Sequence, residues 1–213
     1  HRYFLLVKDQ LTRYRKVYFM RNKDESLDHI KKYRTELKLE TGNDLLKIRS
    51  DMGSEFLAND FKDYVKEHGI VHEVAVKATP QQNGMAERDN RNLVDHSRSI
   101  LAATDLGGKF WDEALATVAY VYNRVTSGDD NMTPYEKWFG TKPDVSHLRI
   151  FGSKGEGLIK DRKSKFGPKT KPVIMLGYTN SNDVYRVYDP STKTVQLISS
   201  AAFDEKPQCR VKP

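Results

Sequence analysis

The chain has 213 residues, 38% hydrophobic and 31% charged, the balance of a globular protein with one sizeable core or a core plus a small second domain. No run approaches eighteen apolar residues, which excludes a membrane-spanning helix, and the opening residues do not read as a secretory leader. A single cysteine, Cys209, excludes an internal disulfide and a zinc site built on several cysteines, and it points to a reducing compartment.

The elements follow in chain order. Tyr3–Val7 and Tyr14–Met20 read as strands joined by a polar turn, Lys8–Arg13, and together predict a hairpin. Leu27, Ile30, Tyr33 or Arg34, and Leu37 recur at helical spacing, predicting a helix over Asp24–Leu39 that Gly42 and Asn43 end. Leu45–Arg49 is a short strand with Ser50 and Asp51 at its carboxyl end. Asn59 or Asp60 caps a helix marked by Phe61, Tyr64 and Val65, and Gly69 stops it. Ile70–Val76 is a further strand, followed by a polar loop, Lys77–Asn83. A long helix is expected from about Gly84 to Ala103, and another from about Phe110 to Arg124 with Trp111, Leu115, Val118 and Val121 or Tyr122 as its buried stripe. Mixed strands and helices define an α/β domain. After a polar stretch, Thr126–Thr133, Pro134 opens a short helix through Trp138. From His147 onward only strand signals remain, at Val173–Tyr178, Val184–Tyr188 and Val195–Ile198, which fits a small β-barrel.

The formal charge is +7, and its placement is informative. Residues 1–140 carry 22 basic and 22 acidic side chains, residues 141–171 carry 9 against 3, and residues 172–213 carry 5 against 4. The surplus therefore lies in one stretch of 31 residues. A phosphate backbone is the commonest partner of such a patch, and a solvated face is the alternative.

Two carboxylates carry the chemistry. Asp51 ends a strand, where functional groups collect in α/β folds, and Gly53 follows at a tight turn. Glu87 lies on the first turns of the long helix, with 35 residues between the two. Phosphodiester chemistry needs an activated hydroxyl and a stabilised leaving oxygen. Two divalent ions roughly 3.5–4 Å apart provide both, held by about three carboxylates. Arg88 and Arg91 follow Glu87. Arg91 shares its helical face and Arg88 lies about 100° around the helix, so either could hold a phosphate near the ions. An ion pair between Glu87 and Arg91 is the alternative for Arg91. Gln82 and Asn83, in the loop before the helix, offer amide donors to sugar, phosphate or base edges, or a solvent-exposed cap.

At these residues the sequence resembles the copia-type integrases of long-terminal-repeat retrotransposons. Ser50-Asp51-Met52-Gly53-Ser54-Glu55-Phe56 is similar to that family's Asp-Asn-Gly-x-Glu-Phe block, and Thr79–Arg88 is similar to its last catalytic block. The resemblance extends through Phe110-Trp111, Asn123-Arg124, Thr133-Pro134-Tyr135, Leu148–Gly152, Leu176-Gly177-Tyr178 and Phe203-Asp204-Glu205, essentially the whole chain. It implies a ribonuclease H-like integrase core over residues 1–140 and an SH3-like DNA-binding domain over 147–207. It also implies processing of 3′ ends and strand transfer of element DNA into a target. Asp51 and Glu87 would be catalytic residues and ligands of two Mg²⁺ or Mn²⁺ ions. Arg88, Arg91, Gln82, Asn83, Arg162, Lys163 and Lys165 would contact DNA. Homo-oligomers are expected, as are a nuclear location and a cytoplasmic virus-like particle for the parent element, with no membrane partner.

Two departures bear on these expectations. The family's first catalytic aspartate stands in a block upstream of the equivalent of Tyr3, on the core's central strand, and these residues contain no such block. Asp9 matches a turn aspartate that is not a family ligand. The core is therefore expected to be truncated at its start, and residues 1–213 alone are expected to fold poorly and to lack strand transfer, because two strands lose a pairing partner. Met52 replaces the usual Asn, a thioether where an amide could hydrogen-bond. Gly155 and Gly157 are expected to loosen their strand or introduce a bulge. A relative that binds DNA or scaffolds other proteins without catalysis, and a hydrolytic nuclease on the same fold, are the alternatives.

Overall fold

The computed structural model describes residues 1–74, 80–126, 131–159 and 166–205, with side chains left undescribed over 80–86. The chain divides into two compact units that interleave in sequence: residues 1–93 with 125–142, and residues 94–124 with 143–213.

The first unit opens with the hairpin β1 (Tyr3–Lys8) and β2 (Arg15–Met20), antiparallel and in regular register from Tyr3↔Met20 to Lys8↔Arg15. Its turn is organised by Asp9, whose Oδ2 accepts from the Leu11 and Thr12 amides and the Thr12 hydroxyl at 2.7–3.1 Å. This is the local side chain-to-backbone bonding that favours Asp in turns. Helix α1 (Ser26–Thr41) ends at Gly42 in the left-handed conformation and buries Ile30, Tyr33 and Leu37, the stripe its spacing predicts. Strand β3 (Lys47–Ser50) pairs in parallel with β4 (Val71–Val74), across a connection that holds α2 (Ser54–Leu57) and α3 (Asn59–Glu67). Among the described residues β1 bonds only to β2, and β3 only to β4. The two sheets nevertheless share one core. Leu5, Val7 and Leu45 pack both against Tyr18, Tyr33, Leu37 and Trp138 and against Ile30, Phe61, Val65 and Ile70.

Helix α4 runs Pro80–Ala102 and so begins within the segment expected to be a polar loop. Pro80 fits a helix's first turn, where the amide it lacks has no intrahelical partner and its fixed φ is already helical. Residues 80–83 are consequently helical rather than loop. Helix α6 (Pro134–Phe139) is capped by the Thr133 side chain and held by a Tyr14–Trp138 stack at 4.8 Å and by Trp138 Nε1 donating to Glu40 at 2.9 Å.

The second unit is helix α5 (Trp111–Tyr122) with the antiparallel strands β5 (Lys154–Leu158), β6 (Thr170–Tyr178), β7 (Tyr185–Asp189), β8 (Thr194–Ile198) and β9 (Ala201–Asp204), in the order β8-β7-β6-β5-β9. The expectation for the two glycines is corrected. Strand β5 is regular and paired on both sides, and the register irregularity lies between Met175 and Gly177 of β6, against β7. A Cβ on Gly155 would stand 2.3 Å from the Ala202 carbonyl oxygen, and one on Gly157 2.7 Å from Ile198 Cδ1. Gly155 serves close approach of its neighbour β9, and Gly157 leaves room for the Ile198 side chain of β8. The α5 stripe differs too: Glu113, Ala114, Leu115, Thr117, Val118 and Ala119 are buried, and Trp111 only partly. Glu113 is admitted because Arg186 grips both its oxygens, at 2.5 and 2.7 Å, and Thr117 donates to the Leu176 carbonyl at 2.8 Å. No helix among the described residues is long and apolar enough to cross a membrane.

Candidate functional site

Asp51 follows directly on β3, and its side chain is fixed by its own turn: Oδ1 accepts the Gly53 amide at 3.0 Å. Gly53 leaves room for this, because a Cβ there would meet Asp51 Oδ1 and the Glu55 carboxyl at 3.0 Å. Among the described residues nothing hydrogen-bonds to Asp51 Oδ2, and the residue is exposed. Met52 is 54% exposed beside it and contributes no polar group.

Glu87 lies early in α4, exposed, with no hydrogen bond or ion pair among the described residues. The ion pair considered between Glu87 and Arg91 is therefore not formed among the described residues. Both Arg88 and Arg91 are exposed, while Arg98 pairs with Asp95 at 3.2 Å. The helix is oriented by a residue that sequence reasoning missed. Asp89, two positions on and about 200° around the helix from Glu87, pairs with Lys8 and, at 3.4 Å, with Arg15 of the hairpin. Burial pulls the Lys8 ammonium below its ordinary range, and Asp89 acts in the opposite direction. Three charges at positions 8, 15 and 89 give no local pattern by which a reader could have paired them.

The side chains of Gln82 and Asn83, though on α4, lie outside the described residues, and so do Arg162, Lys163 and Lys165 altogether. Asp51 and Glu87 belong to the same unit. Both are oxygen donors not committed to any base among the described residues, which suits a hard divalent ion. Among the described residues, however, no group of three or more His, Cys, Asp or Glu side chains is placed to hold a metal ion. The donor chemistry fits, and the described residues supply two candidate ligands of the three such a site needs.

Residues 158–212 match the family model described as the retroviral polymerase SH3-like domain. Over 96% of its length the chain is 35% identical to the Retrovirus-related Pol polyprotein from transposon TNT 1-94 of Nicotiana tabacum, of which it spans 16%. It is 27% identical, again over 96% of its length, to the Retrovirus-related Pol polyprotein from transposon RE1 of Arabidopsis thaliana, of which it spans 14%. A chain in the cryo-EM structure of the simian T-cell lymphotropic virus intasome in complex with PP2A regulatory subunit B56 gamma shares the fold. Its TM-score is 0.53 at 15% identity, covering 96% of this chain and 73% of that one. Fold and relatives together define a retrovirus-related Pol segment with an α/β core of the fold seen in the intasome chain and a C-terminal SH3-like domain. The chain is similar to the Pol polyproteins of copia-type long-terminal-repeat retrotransposons, spanning about a sixth of the length of the curated relatives it matches.

Proposed function

We propose that the chain is the part of a Pol-encoded integrase that supplies two metal-binding carboxylates and a DNA-holding domain for inserting element DNA into a target. The observation that carries the proposal is the pair of uncommitted acids, Asp51 at the end of β3 and Glu87 on α4, in a chain similar to Pol polyproteins over 96% of its length. Divalent magnesium or manganese, when bound, would activate the attacking oxygen and stabilise the leaving one. Asp51 would offer Oδ2, the oxygen its turn leaves free, and Glu87 would offer its carboxylate from a helix held by Asp89. Arg88 and Arg91, exposed on the same helix, would hold phosphate. Gln82, Asn83 and the basic residues Arg162, Lys163 and Lys165 extend the DNA contact, in keeping with the charge surplus over 141–171. A preceding segment of the polyprotein would contribute the third acid, on a strand between β1 and β3, each of which bonds to one neighbour only among the described residues. The division into a core over 1–140 and a DNA-binding domain over 147–207, assembly into homo-oligomers that hold paired ends, and action in the nucleus and in virus-like particles belong to the same reading.

The test is strand transfer of an oligonucleotide bearing the element end, by the intact integrase polypeptide with Mg²⁺ or Mn²⁺. Glu87→Gln is expected to cut transfer by more than about 100-fold, since loss of a residue that merely supports a ligand costs 10–100-fold, while DNA binding persists. Undiminished transfer would remove Glu87 from the site. A second reading, a non-catalytic DNA-binding or scaffold relative, is favoured by Met52, which offers no hydrogen bond beside Asp51. DNA binding without any metal-dependent joining by the intact polypeptide would select it.

A further inference from the structure

The chain places a histidine where it can set the backbone of Asp51. His72 lies on β4, in register with Ile48, and its Nε2 is 2.9 Å from the Ser50 hydroxyl at the end of β3. The same hydroxyl donates to the Asp51 carbonyl oxygen at 2.9 Å. Serine has one hydroxyl proton, and it is spent on Asp51. At the His72 contact the serine oxygen must therefore accept, and Nε2 must carry the hydrogen. The ring is steadied by Phe61, fully buried, whose ring meets it edge-on with centroids 5.0 Å apart at 70°. Burial, with the charge of Lys62, holds the imidazole below its ordinary pKa, so the neutral ring with one N–H prevails near neutral pH.

We infer that His72 and Ser50 are positioning residues: a donor chain from His72 through the Ser50 hydroxyl to the Asp51 carbonyl orients the Asp51 carboxylate toward a divalent cation. The inference rests on the reading of Asp51 as a metal ligand. The chain of bonds pins Asp51 on its backbone side, while the Gly53 amide pins Oδ1. With both fixed, Oδ2 has little freedom left, and a ligand already oriented loses less entropy on binding.

The experiment is Mn²⁺ titration of the intact integrase polypeptide, with free Mn²⁺ followed by electron paramagnetic resonance, alongside thermal melting. Asp51→Asn should weaken Mn²⁺ binding most. His72→Ala and Ser50→Ala should each weaken it about tenfold. His72→Gln, which returns an N–H at similar reach, should recover most of the loss. Unchanged Mn²⁺ binding by Asp51→Asn would overturn the ligand reading and this inference with it. Impaired Asp51→Asn beside undiminished His72→Ala would overturn the inference alone, as would a folded His72→Gln that binds no better than His72→Ala. Should His72→Ala fail to fold, ¹⁵N-histidine NMR of the unsubstituted polypeptide decides. A protected proton on His72 Nε2 is expected, and the Nδ1–H tautomer would overturn the donor chain.

Discussion

Two buried acids of the second unit and two exposed acids of the first are used in opposite ways. In the second unit, Asp189 is 1% exposed and fully engaged. Its Oδ2 takes the Lys171 ammonium at 2.7 Å, and its Oδ1 takes the Ser191 hydroxyl and the Ser191 and Thr192 amides at the turn into β8. Glu113 is likewise gripped by Arg186. In the first unit Asp51 and Glu87 stand exposed without a base among the described residues. An acid whose every lone pair is used by the protein holds the fold. An acid left with free oxygens near a strand end or helix start is available to an ion. The contrast separates carboxylates that support the fold from those left open, which their spacing in the sequence does not.

The comparison breaks most readily at Asp189. Its burial favours the neutral acid, but Lys171, Ser191 and the backbone amides outweigh burial and hold the carboxyl well below the usual range. Asp189→Asn is expected to cost the second unit about 3 kcal/mol by removing the carboxylate beside Lys171 and leaving its ammonium the Gln196 amide oxygen, measured by chemical denaturation. Because the folded pKa is depressed, the stabilisation by Asp189 is complete above its unfolded value near about 4 and is lost as pH falls through the folded one.

His147 sharpens the comparison with a base. It is 7% exposed, Nε2 pairs with the Tyr120 hydroxyl at 2.8 Å, and Nδ1 is buried without a hydrogen-bond partner among the described residues. Burial lowers its pKa, as does Arg124, while Asp144 opposes them. The folded state thus favours the neutral ring, and the unfolded chain binds the proton first. Stability should fall as pH drops below about 6.5, by up to about 1.4 kcal/mol per pH unit, until the folded pKa is passed. His147→Gln should flatten that slope in melts recorded from pH 8 to pH 5. The smallest effects belong to the free acids. Asp51→Asn and Glu87→Gln should each change folding stability by less than about 0.5 kcal/mol. A larger loss at either would mean that the acid supports the fold.

Much of this architecture was legible in the residues. The stripe Ile30, Tyr33, Leu37 and the turn around Asp9 follow local rules of spacing and side-chain bonding. So do the strand end at Asp51 and the strand read over Val184–Tyr188, observed as β7 (Tyr185–Asp189). The start of α4 was misread because Gln81, Gln82 and Asn83 are polar, and polarity alone does not distinguish a helix turn from a loop. The glycines of β5 were misread because their role depends on Ala202 and Ile198, more than forty positions away.

The sequence by itself determined which acids could meet a metal, where the basic surplus lies and which family the chain resembles, because these depend on residue identity and near spacing. Only the tertiary structure decided that Asp89 faces Lys8 and Arg15, leaving Glu87 exposed, that Arg186 makes a buried Glu113 tolerable, and that His72 reaches Ser50 beside Asp51. Each of those pairs joins residues far apart in the chain, and whether a charge or donor is satisfied is a property of what folding brings beside it.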